Sequence, residues 1–312
     1  TSYHAVAELT RRLEQAGFQR LEETESWPSD EGRRYVVRDG AVIAWITPEK
    51  VTPQLGARIV GSHTDSPSFK LKPNATVTNQ GWQQVGMEVY GGGLLNSWLD
   101  RDLGLSGRLV TCDGQAHLVR TGPILRISQL APHLDRTVND DLKLDRQRHL
   151  MPILSVGKPD LDVEDLLCEA AGIKRDELAF HDVFAHLTQS PAVIGPYGEF
   201  LASQRMDNLS SVHSSVAAFV DVKPTSDVAV MACFDHEEVG SATRSGACGP
   251  FLQDVLVRIA EGFGMTGAAY RAMIAKSSCV SSDAGHGVHP NYVEKFDPAN
   301  HPLLNEGPLL KI

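Results

Sequence analysis

Four short stretches of this 312-residue chain bring acids and an imidazole to places where a strand or helix should begin or end. His63-Thr64-Asp65 follows the apolar run 57–61, Asp235-His236-Glu237-Glu238 follows 228–234, and Ser282-Asp283 follows 278–281. Asp207 stands in Arg205-Met206-Asp207-Asn208, at a predicted helix start. Open α/β sheets bind ligands in the crevice beyond the carboxyl ends of their strands, so these groups can converge although they are far apart in sequence. Carboxylates gathered in one place raise one another's pKa unless a cation offsets them. Two divalent ions about 3.5–4 Å apart would do so, polarising a carbonyl and supplying a hydroxide near neutral pH. In His63-x-Asp65 the imidazole can ligate while the acid two residues on orients it. Adjacent Glu237 and Glu238 cannot both ligate one ion comfortably, so if one binds metal its neighbour is free to act as general base.

Each segment alone also has a plainer reading. An HxD after a strand is ordinarily a hydrogen-bonded turn, and a pair of glutamates a solvated helix start favoured by the dipole. Asp207 alone reads as an N-cap and Asp283 as a turn acid. Their joint occurrence at element ends favours a site. His286 and His289 have i, i+3 spacing, but the Gly and Pro around them predict a loop. Tyr90-Gly91-Gly92-Gly93 lacks a following GK[ST] and reads as a tight turn. Trp98-Leu99-Asp100-Arg101-Asp102-Leu103 predicts a buried Arg–Asp pair.

The elements that must position these groups follow from periodicity. Val6, Leu9, Leu13 and Ala16 recur at helical spacing over 5–16, with Gly17 at the C-cap. Asp39-Gly40 between two apolar runs is a hairpin signal. From about 75 to 198, short β-like runs (84–90, 107–111, 116–119) alternate with Gly-rich turns, and one helix-like segment, 163–171, ends at Gly172. Strand and helix alternation returns after 202, with helix over 206–220, strand over 228–234, helix over 249–262 and strand over 278–281. The expected fold is α/β, a central mixed sheet flanked by helices with an inserted β-rich dimerisation domain. The expected divisions are 1–74 and 200–312 for the catalytic domain and 75–199 for the insert.

Bulk composition narrows the function. Apolar residues at 42% and charged residues at 22% suit a globular chain with a sizeable core. A net charge of -10 argues against a nucleic-acid partner. The five cysteines are scattered without CxxC spacing, and three lie in apolar or small-residue stretches where burial is expected. With no membrane-length apolar run and no signal-peptide layout, a cytoplasmic location is expected.

Taken in order, the motifs resemble the M18 aspartyl aminopeptidases. They are Gly61-Ser62-His63-Thr64-Asp65-Ser66-Pro67 with Lys70-Leu71-Lys72-Pro73, Tyr90-Gly91-Gly92, Asp100-Arg101-Asp102-Leu103, Arg205-Met206-Asp207-Asn208, Asp235-His236-Glu237-Glu238-Val239-Gly240-Ser241, and the run from Ser282 to Tyr292. The resemblance implies two divalent metal ions per subunit, taken as zinc, although carboxylate-rich sites also accept Co or Mn. It implies His63 and Asp283 on one metal, Glu238 on the other and Asp207 bridging. Glu237 would be the general base, Asp65 the partner of His63, and His286 and His289 supporting loop residues. It further implies peptide substrates with N-terminal Asp or Glu, their side chain met by Lys311 in Gly307-Pro308-Leu309-Leu310-Lys311, whose apolar neighbours read as a buried strand. Self-association into dimers and dodecamers is implied as well, with His133 reaching a neighbouring subunit's site; many relatives carry a second His where this chain has Gln129. The family's late Met-His-Ser motif, which supplies a last metal imidazole, does not occur, and the expectation is an incomplete version of a longer chain. Two other readings stay open at this point: a di-metal aminopeptidase of broader specificity, and a non-catalytic assembly protein of the same fold.

Overall fold

The computed structural model describes residues 1–52, 55–158 and 160–311. In chain order its helices are α1 (Ser2–Gln15), α2 (Val163–Ala171), α3 (Met206–Phe219), α4 (Phe251–Gly262) and α5 (Ala268–Lys276). Its strands are β1 (Gln19–Arg20), β2 (Arg33–Arg38), β3 (Ala41–Ile46), β4 (Ala57–His63), β5 (Ser68–Asn79), β6 (Trp82–Tyr90), β7 (Asp102–Thr111), β8 (Ala116–Arg120), β9 (Leu125–Arg126), β10 (Ile153–Val156), β11 (Leu178–Leu187), β12 (Ala192–Ile194), β13 (Phe200–Ala202), β14 (Val228–Phe234) and β15 (Ser278–Ser281).

Six strands form the first sheet in the order β1-β2-β3-β14-β4-β15. All six residues of β3 are buried, because helices cover both faces and side chains alternate between them. Val42, Ala44 and Ile46 join Val6, Leu9 and Leu13 of α1 and Val212 and Val216 of α3 in one core. Ile43 and Trp45 join Phe251, Val255 and Ile259 of α4 in the other. Each such large side chain taken from water contributes roughly 1.5–3 kcal/mol. β14 pairs antiparallel with β3 but parallel with β4, and β15 also pairs parallel with β4. This is the mixed, helix-flanked sheet that the alternating pattern predicts.

The second sheet runs β11-β5-β6-β10-β9-β7-β8, and β11 also pairs with β7, so the sheet closes on itself. Its interior holds Phe69, Leu71, Val85, Leu103, Leu105 and Leu109, with Val163 and Leu167 of α2 against it. Its first strand begins at Ser68 and so straddles the boundary expected between 74 and 75. β12 and β13 form a separate exposed hairpin. Among the described residues no helix is long and apolar enough to cross a membrane.

Three local expectations are corrected. Two cysteines, Cys168 and Cys233, are buried where three were expected; Cys279 is exposed because β15 is an edge strand with all four residues open. Arg101 forms no buried pair with aspartate: it is exposed and donates to Gln189, while Asp102 takes Arg126 at 2.9 Å. Residues 308–311 are exposed and outside any strand.

The two sheets meet through a polar cluster. The Tyr3 hydroxyl on α1 donates to Asp182 on β11, whose other oxygen lies 2.8 Å from Lys70 Nζ. Arg108 of β7 stacks on the Tyr3 ring and reaches Asp39 at 3.0 Å. Burial, then the Asp182 charge and hydrogen bond, pushes the Tyr3 phenol well above its ordinary range. Asp182→Ala strands a buried hydroxyl and should cost about 1–3 kcal/mol in urea unfolding. Tyr3→Phe should shrink that cost when introduced first; losses that simply add would show the two groups to be uncoupled.

Candidate metal centre

The site is set by strand register. β14 and β4 run parallel with Phe234 opposite His63, and β15 runs parallel to β4 with Ser281 opposite Gly61. The chain leaves β14 into Asp235–Glu238 and leaves β15 into Ser282-Asp283, so both acidic segments emerge at the level of His63. Asp207 arrives from the other side. Residues 207 and 208 depart from helical geometry at the start of α3, and their peptide bond is cis. Ser66 Oγ donates to the Asp207 carbonyl at 2.7 Å, and Asn208 Nδ2 donates to the Ser282 carbonyl at 2.9 Å. These two bonds tie the α3 start to the ends of β4 and β15.

His63 is buried, with its Nε2 3.2 Å from Asp207 Oδ1, 3.6 Å from Asp283 Oδ1 and 3.9 Å from Glu237 Oε2. One ligand atom each from His63, Asp207 and Asp283 lies within 4.8 Å of the others. The opposite ring nitrogen, Nδ1, sits 3.3 Å from Asp65 Oδ1. Asp65 is a hub: it accepts from the Tyr90 hydroxyl at 2.7 Å and from the backbone N–H groups of Glu237 and Glu238 at 3.1 and 3.2 Å. Burial opposes its ionisation, but the bonds from His63, Tyr90 and the Glu238 N–H outweigh it and hold the carboxyl below its ordinary range. Burial and then the Asp65 charge push the Tyr90 phenol far up.

The charge balance around the imidazole is unequal. Burial lowers the His63 pKa, but Asp65, Glu237 and Asp207 overcome it and bring the group up to about 9. Burial, with the charges of Asp65 and Glu237, pushes Glu238 up to about 7. Lys311 Nζ donates to Asp283 Oδ2 at 2.8 Å and to the Ala284 carbonyl at 3.2 Å. Burial works against the Asp283 charge, and Lys311 reverses it to a net depression. A half-open cluster of one oriented imidazole and several carboxylates, one held partly protonated for want of positive charge, has the donor chemistry of a divalent-cation site.

The structure thus brings together His63, Asp65, Asp207, Glu237, Asp283 and Lys311, with Glu238 beside them. His133 lies elsewhere, exposed after β9. Residue types alone missed Tyr90, Ser66 and Asn208, and they gave Gly91 only its turn. A Cβ at Gly91, which has φ +76°, would lie 2.9 Å from Glu238 Cβ, so this glycine makes room for a site acid as well as a turn. The signal available was position: Tyr90 and Gly91 stand at the end of a strand.

A family model for aminopeptidase I zinc metalloproteases (M18) matches residues 1–312. The chain belongs to the M18 family. It is 46% identical over 320 residues to a probable M18 family aminopeptidase 2 of Streptomyces coelicolor, covering 100% of this chain and 74% of that protein. The corresponding Streptomyces avermitilis protein is 48% identical over 321 residues, with 99% and 74% covered. A structure of the Ape4 and Nbr1 complex superposes with a TM-score of 0.92 at 31% identity, over 98% of this chain and 65% of that one. The S. cerevesiae mApe1 dodecamer gives a TM-score of 0.85 at 26% identity, over 98% and 73%. The M18 chain therefore spans about three quarters of the length of these curated relatives. Its family is one of zinc aminopeptidases, in agreement with the resemblance of its motifs, and its mixed α/β architecture is that of its structural neighbours.

Metal-free protein should show the frustration at Glu238 directly. A carboxyl whose folded pKa is raised from 4.5 to about 7 adds stability below its unfolded value and loses it as pH rises through 7. Thermal melts of chelated protein should therefore fall between pH 4.5 and 7, and Glu238→Gln should flatten that window. His63, raised from 6.5 to about 9, accounts for a separate decline between those values. A Glu238→Gln profile parallel to the parent's across pH 4.5–7 would refute the assignment.

Proposed function

We propose that this chain carries the centre of a two-metal aminopeptidase that releases N-terminal Asp or Glu from peptides. The observation that carries the reading is the convergence of His63, Asp207 and Asp283 on one point, with Asp65 orienting the imidazole from behind. His63 and Asp283 would hold one ion, Glu238 the other, and Asp207 would bridge them. When bound, two divalent ions polarise the scissile carbonyl and acidify the attacking water.

The chain's own residues supply the rest. Glu237 takes a proton from the attacking water as its oxygen bonds to the carbonyl carbon, then returns it to the departing amine as the C–N bond breaks. Asp65 keeps His63 Nδ1 protonated so that Nε2 faces the carboxylates. Lys311, whose ammonium lies 2.8 Å from Asp283, stands beside the cluster where an acidic substrate side chain would meet it. That same ion pair favours a second reading, broader specificity, because Asp283 already neutralises the selecting cation.

Self-association is part of the proposal. The mApe1 neighbour is a dodecamer, and this chain exposes Leu130 and Leu134 on either side of His133, together with Val193, Tyr197 and Leu201 on the β12–β13 hairpin. Residues 75–199 would supply the contact and His133 would approach a neighbour's site.

Two experiments decide the matter. Glu237→Gln should lower kcat on an Asp-amide substrate by about 10²–10⁴-fold with zinc content unchanged by atomic absorption; parental turnover, or lost zinc, would remove it from the base role. Lys311→Ala should cut kcat/KM for Asp- and Glu-amides by about ten-fold or more and spare Ala- and Leu-amides. An unchanged substrate ranking would favour the broader enzyme.

A further inference from the structure

One side chain reaches the carboxylate cluster from the other sheet. Tyr90 is the last residue of β6 and pairs with Ser68 of β5. Ser68 Oγ in turn donates to the Ala185 carbonyl of β11 at 2.7 Å. The buried Tyr90 ring meets Phe184 of β11 edge-on, with centroids 5.1 Å apart. Three strands of the closed sheet therefore fix the phenol, and its hydroxyl donates to Asp65 Oδ2 at 2.7 Å.

The donors around Asp65 divide by oxygen. Oδ1 faces His63 Nδ1 at 3.3 Å and accepts from the Glu237 N–H at 3.1 Å. Oδ2 accepts from Tyr90 and from the Glu238 N–H, the latter at 3.2 Å. The two halves are not equally secure. His63 Nδ1 also lies 3.1 Å from the Asp65 backbone carbonyl, so the imidazole keeps an acceptor however the carboxylate turns. Among the described residues the Glu238 N–H has Oδ2 as its one acceptor. Short bonds from a hydroxyl to a carboxylate are the strong ones, so the phenol is the main restraint on Oδ2. β6 also meets Glu238 directly, since a Cβ at Gly91 would lie 3.2 Å from Glu238 Oε2.

We propose that Tyr90 is a positioning residue for Glu238, acting through Asp65 Oδ2, and for the ion that Glu238 would hold. The ion of His63 and Asp283 does not depend on it. The inference rests on the two-ion reading above and deepens it: a side chain of the closed sheet governs one ion of a centre built on the other sheet. Without the hydroxyl, Oδ2 keeps a single N–H donor and the start of the glutamate loop loosens, while Oδ1 and His63 stay in place.

Zinc titration of chelated protein against a competing chromophoric chelator tests this by binding alone. The parent should take up two ions. Tyr90→Phe, which keeps the ring and its packing, should weaken one of them about 10–100-fold and leave the other unchanged. Phe184→Leu disturbs the same ring contact but keeps the hydroxyl, and should weaken neither. Glu238→Gln identifies the ion concerned, because adding Tyr90→Phe to it should bring no further loss. Equal weakening of both ions in Tyr90→Phe, no weakening of either, or the same selective loss in Phe184→Leu would overturn the proposal, as would losses that add in the double variant. A single zinc in the parent would overturn the two-ion reading itself, and the inference with it.

Discussion

Three strands running in one direction hold the site together. β14, β4 and β15 are parallel neighbours, with Phe234 level with His63 and Ser281 level with Gly61. Parallel pairing puts their carboxyl ends at one edge, where the backbone leaves hydrogen bonding and side chains are free to turn toward a common point. A register slip of one residue in β4 would send His63 to the opposite face. The burial of β3 and β14 between α1, α3 and α4 is what prevents that slip, since every core side chain would have to change faces with it.

On that frame, Asp65 converts backbone position into chemistry. Its carboxylate accepts from a phenol and two backbone N–H groups while facing an imidazole. Charge-assisted bonds of this kind contribute roughly 1.5–3 kcal/mol each, enough to overcome burial and keep the acid ionised. Because two of the donors are the amides of Glu237 and Glu238, the same carboxylate that orients His63 also fixes the loop carrying both glutamates. Of the carboxylates nearer the opening, Asp283 takes the Lys311 ammonium, while Glu238 faces the like charges of Asp65 and Glu237. Burial, and then those charges, drive Glu238 up to about 7, so the cluster is arranged for a cation to complete.

Much of this was legible from residue order, and the parts that were not share a cause. The strands at 228–234 and 278–281, the hairpin at Asp39-Gly40 and the helix ending before Gly172 all declare themselves through periodicity and caps, which are local. His63, Asp207 and Asp283 could be grouped because each stands at an element end. Tyr90 could not, because its partner Asp65 is reached only through the pairing of β5 with β6, and a lone strand tyrosine reads as core. The Arg101 and Pro308-Leu309-Leu310 readings failed for the opposite reason: apolar and charged neighbours in sequence suggested burial, but burial depends on whether another element covers them. Cys279 is exposed for the same reason, on the uncovered edge of β15. The closed sheet was likewise hidden, since β11 joins β5 and β7 across long stretches of chain.

The hairpin tip shows how a local signal can carry a second, non-local duty. Asp39-Gly40 satisfies a two-residue turn, and that alone would explain both residues. Yet a Cβ at Gly40 would fall 2.1 Å from Asp235 Oδ2 and 2.4 Å from Ser2 Oγ, so the glycine is also required by the buried acid that begins the glutamate loop. The Gly40 carbonyl accepts from Thr64 Oγ1 at 2.6 Å, between His63 and Asp65. Asp39 meanwhile takes Arg108 from the second sheet and Arg244 from the segment after the glutamates. One turn therefore touches the ends of β4 and β14, the closed sheet and α1. A larger residue at position 40 would displace Asp235 and Ser2 together, and the resulting shift would reach His63 through Thr64 without any change to a residue that faces the site.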